Sequence, residues 1–247
     1  MPLLSRQDFV KYLAEILVVV LGILIAFQVE GWRERRQLET DLELAIDRLA
    51  DETQQNILFC DRFVRVANRT LSAVEKVVLS LSAGELSESD KEQFDVGLSV
   101  VSALPNRPLL TSVADEMIST GLLKQVQDAE LRLLIATLQS LVQSEDNAYP
   151  MHRESVRDLS NELANHIDVI YSPDTPGSAI EEIGIISTET RIAVLYKFDE
   201  LVAARRLRNL FYEAYDAHSD HLAGLQRKCA VVSAISDRLR NSREVSE

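Results

Sequence analysis

The sequence predicts an all-α protein whose first helix crosses a membrane and runs on into a soluble helical bundle. Three observations carry that expectation. Ala, Leu, Glu, Arg and Val carry the composition, while the 247 residues include only 8 Gly and 6 Pro, a balance that favours helices over sheets. Ile16 to Phe27 is an unbroken apolar run of twelve residues. Beyond it, Leu38, Leu42, Ala45, Leu49, Cys60, Phe63, Ala67, Leu71, Val74, Val78 and Leu81 keep three-to-four spacing, with no Pro or Gly between Gly31 and Gly84. That is the period of a helix with one buried face. The division expected is 1–34 for the tail and transmembrane helix and 35–247 for the bundle.

The apolar run is the first element. A span needs about 20 predominantly apolar residues, and a run of 10–14 also fits a core helix or a signal segment. The flanks decide. Tyr12 to Trp32 is 21 residues, about 31 Å of helix, which puts amphipathic aromatics near both interfaces. Lys11 and Arg33 can extend outward from the ends. "AFQVEGW" offers no small-residue cleavage pattern, which argues against a removed signal. At 100° per residue, Glu15, Val19, Gly22, Ala26 and Val29 form one stripe. Gly22 and Ala26 are a small-xxx-small pair, so this stripe is the expected membrane-helix association face. The expected partners are the lipid bilayer and a second copy or another membrane protein.

The long helix is expected from about Gln7 to Ser82, with a polar gap near Thr53 and Asn56 and a stop at Gly84. Ser89 and Glu92 then read as a capping box opening a short helix to about Leu104. Pro105–Pro108 reads as a turn. A helix from Ser112 ends at Gly121, and Asp128 caps the next, which Pro150 should kink or split. The stretch from His152 to Tyr171 reads as helical, Ser172–Ser178 as a loop, and the last helix from about Thr188 to Arg240 with a break near Gly224. The tail from Asn241 reads as frayed. The first and last long helices are the expected antiparallel partners.

The opening "KYLAEILVVVLGILIAFQVEGWRERR" resembles that of a bacterial family of single-pass membrane proteins of unknown function. The likeness rests on Tyr12, Glu15-Ile16, the Leu17-Val18-Val19 and Gly22-Ile23-Leu24-Ile25-Ala26 core, and Trp32 followed by charges. "EMISTGLLKQVQDAELRLLIATL", Glu116 to Leu138, is similar to the family's Ser-x-Gly turn and Asp-x-Glu-Leu-Arg helix start. Ala14 and Val29-Glu30-Gly31 depart from its pattern. The resemblance implies an inner-membrane protein with a cytoplasmic N-terminus and a periplasmic bundle. It implies no activity, cofactor or catalytic residue. The charges of this chain, Arg6 and Lys11 before the span against Arg33, Arg35 and Arg36 after it, favour neither orientation.

Chemistry is sparse. The formal net charge is −13, which disfavours nucleic-acid partners. "TGLLKQVQDAELRLL" looks superficially like a helix-turn-helix, but its apolar positions read as core contacts. No phosphate loop or nucleophile motif is found, so no catalytic or cofactor-binding residue and no cofactor is expected. Asp216, His218, Asp220 and His221 share a helix but lack a third defined ligand, so they read as a solvated polar face and not a metal site. Arg205, Arg206, Arg208, Arg227 and Lys228 should pair with carboxylates. Cys60 and Cys229 read either as a disulfide in an oxidising space or as two buried thiols. The expected function is a non-enzymatic membrane-anchored scaffold, adaptor or sensor subunit. The alternatives are a ligand-binding subunit with its site inside the bundle and a hydrolase whose site only geometry would reveal.

Overall fold

The computed structural model describes residues 6–104, 108–172 and 191–244, with side chains from Leu17 onward except Val19, 170–172, 191–193 and 242–244. Among these residues the chain forms α1 (Arg6–Ala83), α2 (Lys91–Val100), α3 (Ser112–Ser119), a 3-10 turn (Leu122–Gln125), α4 (Ala129–Leu163), β1 (Ile167–Ser172), β2 (Arg191–Tyr196), α5 (Phe198–Ala203) and α6 (Arg205–Glu244). It is an all-α protein carrying one small two-stranded ribbon.

The first helix is continuous for 78 residues, about 117 Å. Gly84 ends it in the left-handed region at φ 71°, where a side chain would be strained. Gly121 has the same role after α3, at φ 80°. Asp128 caps α4 through its carboxylate, which accepts from the Glu130 and Leu131 amides. Arg238 at 2.6 Å holds that carboxyl below its usual range.

Several expectations give way. Ser89 does not cap α2. Asp90 occupies the N-cap position without a side-chain cap bond, and its carboxylate pairs with Lys76 at 3.0 Å. The Ser87 hydroxyl accepts from the Asp90 amide. Pro150 does not split α4, which runs through it. Pro150 is exposed, so the carbonyl it leaves without an amide partner can be solvated. Gly224 does not break α6. The segments read as helix around Val169 and Val194 are strands. Their β-branched and aromatic residues suit a half-buried pleated surface, and they pair antiparallel with Ile167 opposite Tyr196 and Val169 opposite Val194. The expected turn at Pro105–Pro108 and the loop at Ser172–Ser178 lie largely outside the described residues. The expected frayed tail is helical through Glu244.

α6 runs antiparallel to both α1 and α4. Cys60 meets Cys229 and Ser82 meets Tyr212 on the α1 side. Asp128 meets Arg238, Glu145 meets Arg227 and Glu162 meets Arg206 on the α4 side. The buried apolar side chains form two clusters. One, built around Leu49, Met117, Ile135 and Ile235, lies towards the exposed arm of α1. The other, built around Val77, Phe94, Leu159 and Phe211, lies at the far end with α2, α5 and the ribbon. Gly97 lets α2 cross α1, since a Cβ there would collide with the Ala73 carbonyl and Val77.

Candidate functional site

The N-terminal arm of α1 stands apart from everything else in the fold. The first α1 side chain buried in the bundle is Ala45. From Leu17 to Thr40 every described residue except Gly31 is exposed. Leu17, Val18, Val20, Leu21, Ile23, Leu24, Ile25, Phe27, Val29 and Trp32 are each between 48% and 68% exposed. They cover about two thirds of the helix circumference, so no rotation would bury them on one partner face. Fully burying such a side chain is worth about 1.5–3 kcal/mol, so ten of them on a bare rod need a non-aqueous surrounding or a sheath. Among the described residues, no helix is long and apolar enough to cross a membrane. The side chains of Ile16 and of the residues before it lie outside the described ones.

The stripe expected to associate in lipid is partly visible. A Cβ added at Gly22 would meet nothing within 4 Å. Ala26 and Val29 are exposed on the same helix. The side chains of Glu15 and Val19 lie outside the described residues. At the base of the arm the Arg36 guanidinium sits 4.6 Å from the centre of the Trp32 ring, a cation–π contact. The Arg35 Nε donates to the Gly31 carbonyl at 3.0 Å.

Elsewhere the polar groups serve the fold. The gap in the α1 stripe is a clamp that the periodicity alone did not disclose. The Asn56 amide donates to the Leu110 carbonyl at 2.8 Å and accepts from the Leu110 amide at 2.9 Å. Glu52 accepts from the Ser112 hydroxyl at 2.7 Å and the Val113 amide at 3.0 Å, standing in for an N-cap of α3. Arg48 and Glu116 close the same junction with two bonds of 2.9 Å. Its sequence signal was a run of polar residues on an otherwise apolar face.

His218 is not on a solvated face. It is 5% exposed, and its Nε2 donates to the Val101 carbonyl at the end of α2 at 2.9 Å. Burial pushes its pKa down, so it is neutral. His221 lies against the Tyr149 ring. Among the described residues no group of three or more His, Cys, Asp or Glu is arranged to hold a metal. Of the basic cluster, Arg206 pairs with Glu162 at 3.7 Å and Arg227 with Glu145 at 3.2 Å. Lys228 is buried, and its ammonium is disfavoured by that burial while Glu145 and Asp146 support it. On the far cluster, the Tyr196 hydroxyl donates to Asp95 at 2.6 Å, and burial with that carboxylate raises its pKa.

Cys60 and Cys229 form a disulfide, with Cα atoms 5.6 Å apart across a sequence separation of 169. No family model, curated protein or solved structure matches this chain.

Proposed function

We propose that this is a single-pass membrane protein whose bundle acts through protein contacts as a scaffold, adaptor or sensor subunit. The observation that carries the anchor is the exposure of large apolar side chains over about two thirds of the arm's circumference. A partner helix would cover one stripe; lipid covers the whole circumference. Trp32 and the arginines after it suit the interfacial level, where aromatic rings and long cations are favoured. The likeness of the opening to a bacterial single-pass family supports an inner-membrane location. The bundle belongs on the oxidising side of that membrane, because Cys60–Cys229 disulfides persist there and not in a reducing cytosol. In a bacterial cell that side is the periplasm. The stripe of Gly22, Ala26 and Val29 gives a second copy a close approach in lipid.

A catalytic reading has little to build on. Glu52, Asn56 and His218, the buried polar groups that look most like a site, are each engaged by backbone groups. That use satisfies orphan helix-end groups, and it leaves a non-enzymatic role as the better reading. The test of the anchor is removal of residues 1–32. The remaining chain should be released from membranes as a soluble helical protein with the disulfide intact. Retention in the membrane fraction by the shortened chain would overturn the anchor.

A further inference from the structure

We infer that the free edge of β1 and the cleft beside it dock an extended basic segment of a partner protein, which adds to the ribbon as a third strand and places a Lys side chain in the cleft. The inference rests on the proposal that the bundle acts through protein contacts, and it locates one of them. Among the described residues the ribbon has two strands, so β2 covers one edge of β1 and leaves the other. An antiparallel ladder uses the N–H and C=O of every second residue, and the alternate residues turn theirs outward. A cleft of about 360 Å³ adjoins β1. Ile167, Asp168 and Val169 all line it, and no described residue of β2 does. Consecutive strand residues send their side chains to opposite faces, so it is the free edge that presents all three to one cleft.

The helices fix the cleft in place. The amides of Ala164, Asn165 and His166 donate to the carbonyls of Ser160, Glu162 and Leu163, turning the chain from the end of α4 straight into β1. Leu98 of α2 and Leu163 of α4 are buried in the far cluster and give the cleft an apolar wall. Ser99, Ser102 and Ser160 add hydroxyls. That of Ser99 donates to the Val96 carbonyl at 2.7 Å, which leaves its oxygen free to accept. Asp168 is exposed, and it is the one charged residue in the lining. An apolar wall, hydroxyl acceptors and a carboxylate suit the methylene stem and ammonium of a Lys. The net charge of −13 favours a basic partner over an acidic one. It also disfavours a second copy, because two β1 edges side by side would each bring an Asp168 carboxylate. In strand addition, main-chain bonds give affinity and a side-chain pocket gives selectivity.

The test uses the full, oxidised chain in mild detergent and the blocked pentapeptide Thr-Val-Lys-Val-Thr as probe. Its binding should slow amide exchange at residues 167–169 roughly tenfold. A Glu in place of the Lys should weaken binding roughly tenfold, and so should Asp168→Asn in the protein. A peptide N-methylated on its Lys and second Val, which blocks both strand edges, should not bind. No binding by the Lys peptide up to about 1 mM, equal binding of the Lys and Glu peptides, or an unchanged affinity for Asp168→Asn would overturn the inference. Full binding by the N-methylated peptide, or the same protection from butylamine alone, would make the cleft a small-amine site and overturn strand addition. Failure of the peptide leaves the anchor and other contact surfaces standing, and failure of the anchor leaves this edge unaffected.

Discussion

At the scale of single residues, Glu52, Asn56 and His218 serve as partners for backbone groups at or near helix ends. Glu52 and Asn56 on α1 supply the bonds that the start of α3 and the segment before it lack. His218 on α6 does the same for the end of α2. Each interrupts an otherwise apolar face, and sequence periodicity marks only the interruption. The partner is more than 50 positions away for Asn56 and more than 100 for His218. Such pairings depend on how the helices dock, so they were not legible in the sequence. His218 has a consequence for acid stability. Its pKa is depressed in the folded state, so below the ordinary histidine value of about 6.5 the unfolded chain binds the extra proton. The stability due to neutral His218 is complete above that pH. It declines as pH falls, at no more than about 1.4 kcal/mol per pH unit, until the folded-state pKa is reached. Urea midpoints measured from pH 7.5 to 5 should fall for the wild type. His218→Gln should flatten that slope, and an unchanged slope would assign it to other groups.

At the scale of elements, the long helices could be read and the ribbon could not. The limits of α1, the αL glycines at 84 and 121 and the Asp128 cap all follow from local chemistry present in the sequence. β1 and β2 are six residues each, too short for periodicity to separate a strand from a buried helical turn. They form only because each supplies the other's hydrogen bonds. Pro150 shows the opposite error. Its sequence rule is strong, yet α4 runs through it without a break. The disulfide is the covalent link between elements. A cross-link closing a loop this long is worth about 2–5 kcal/mol, so Cys229→Ser should lower the unfolding free energy by that amount, and a non-reducing gel should show the wild-type bond. Wild-type thiols that react freely with a maleimide before unfolding would contradict it. Within the arm, Gly22→Ile fills the shallow groove beside Ala26 without harming insertion. Crosslinking of full-length protein in membranes should drop relative to wild type and to Val18→Ile. Equal crosslinking in all three would leave Gly22 incidental.

At the scale of the whole molecule, one helix carries both an exposed arm and a buried stripe. The first part of α1 displays large apolar groups over about two thirds of its circumference, and its second part buries a single stripe against α6, α2 and α3. The change occurs near Ala45 with no break in the backbone. If the proposed anchor holds, a rigid connection of that kind would carry the arm's position into the bundle, as the proposed scaffold or sensor role requires. Hydropathy made both parts legible, because each is a statement about one helix and its solvent. The polar clamp, the ribbon and the Glu145–Arg227 pair were hidden because each is a relation between distant segments. The central claim, that the arm lies in a bilayer, is tested most directly by alkaline carbonate extraction of membranes containing the full-length protein. Integration through the apolar arm predicts that the protein stays in the membrane pellet and is released only by detergent. Its recovery in the carbonate supernatant would contradict the account.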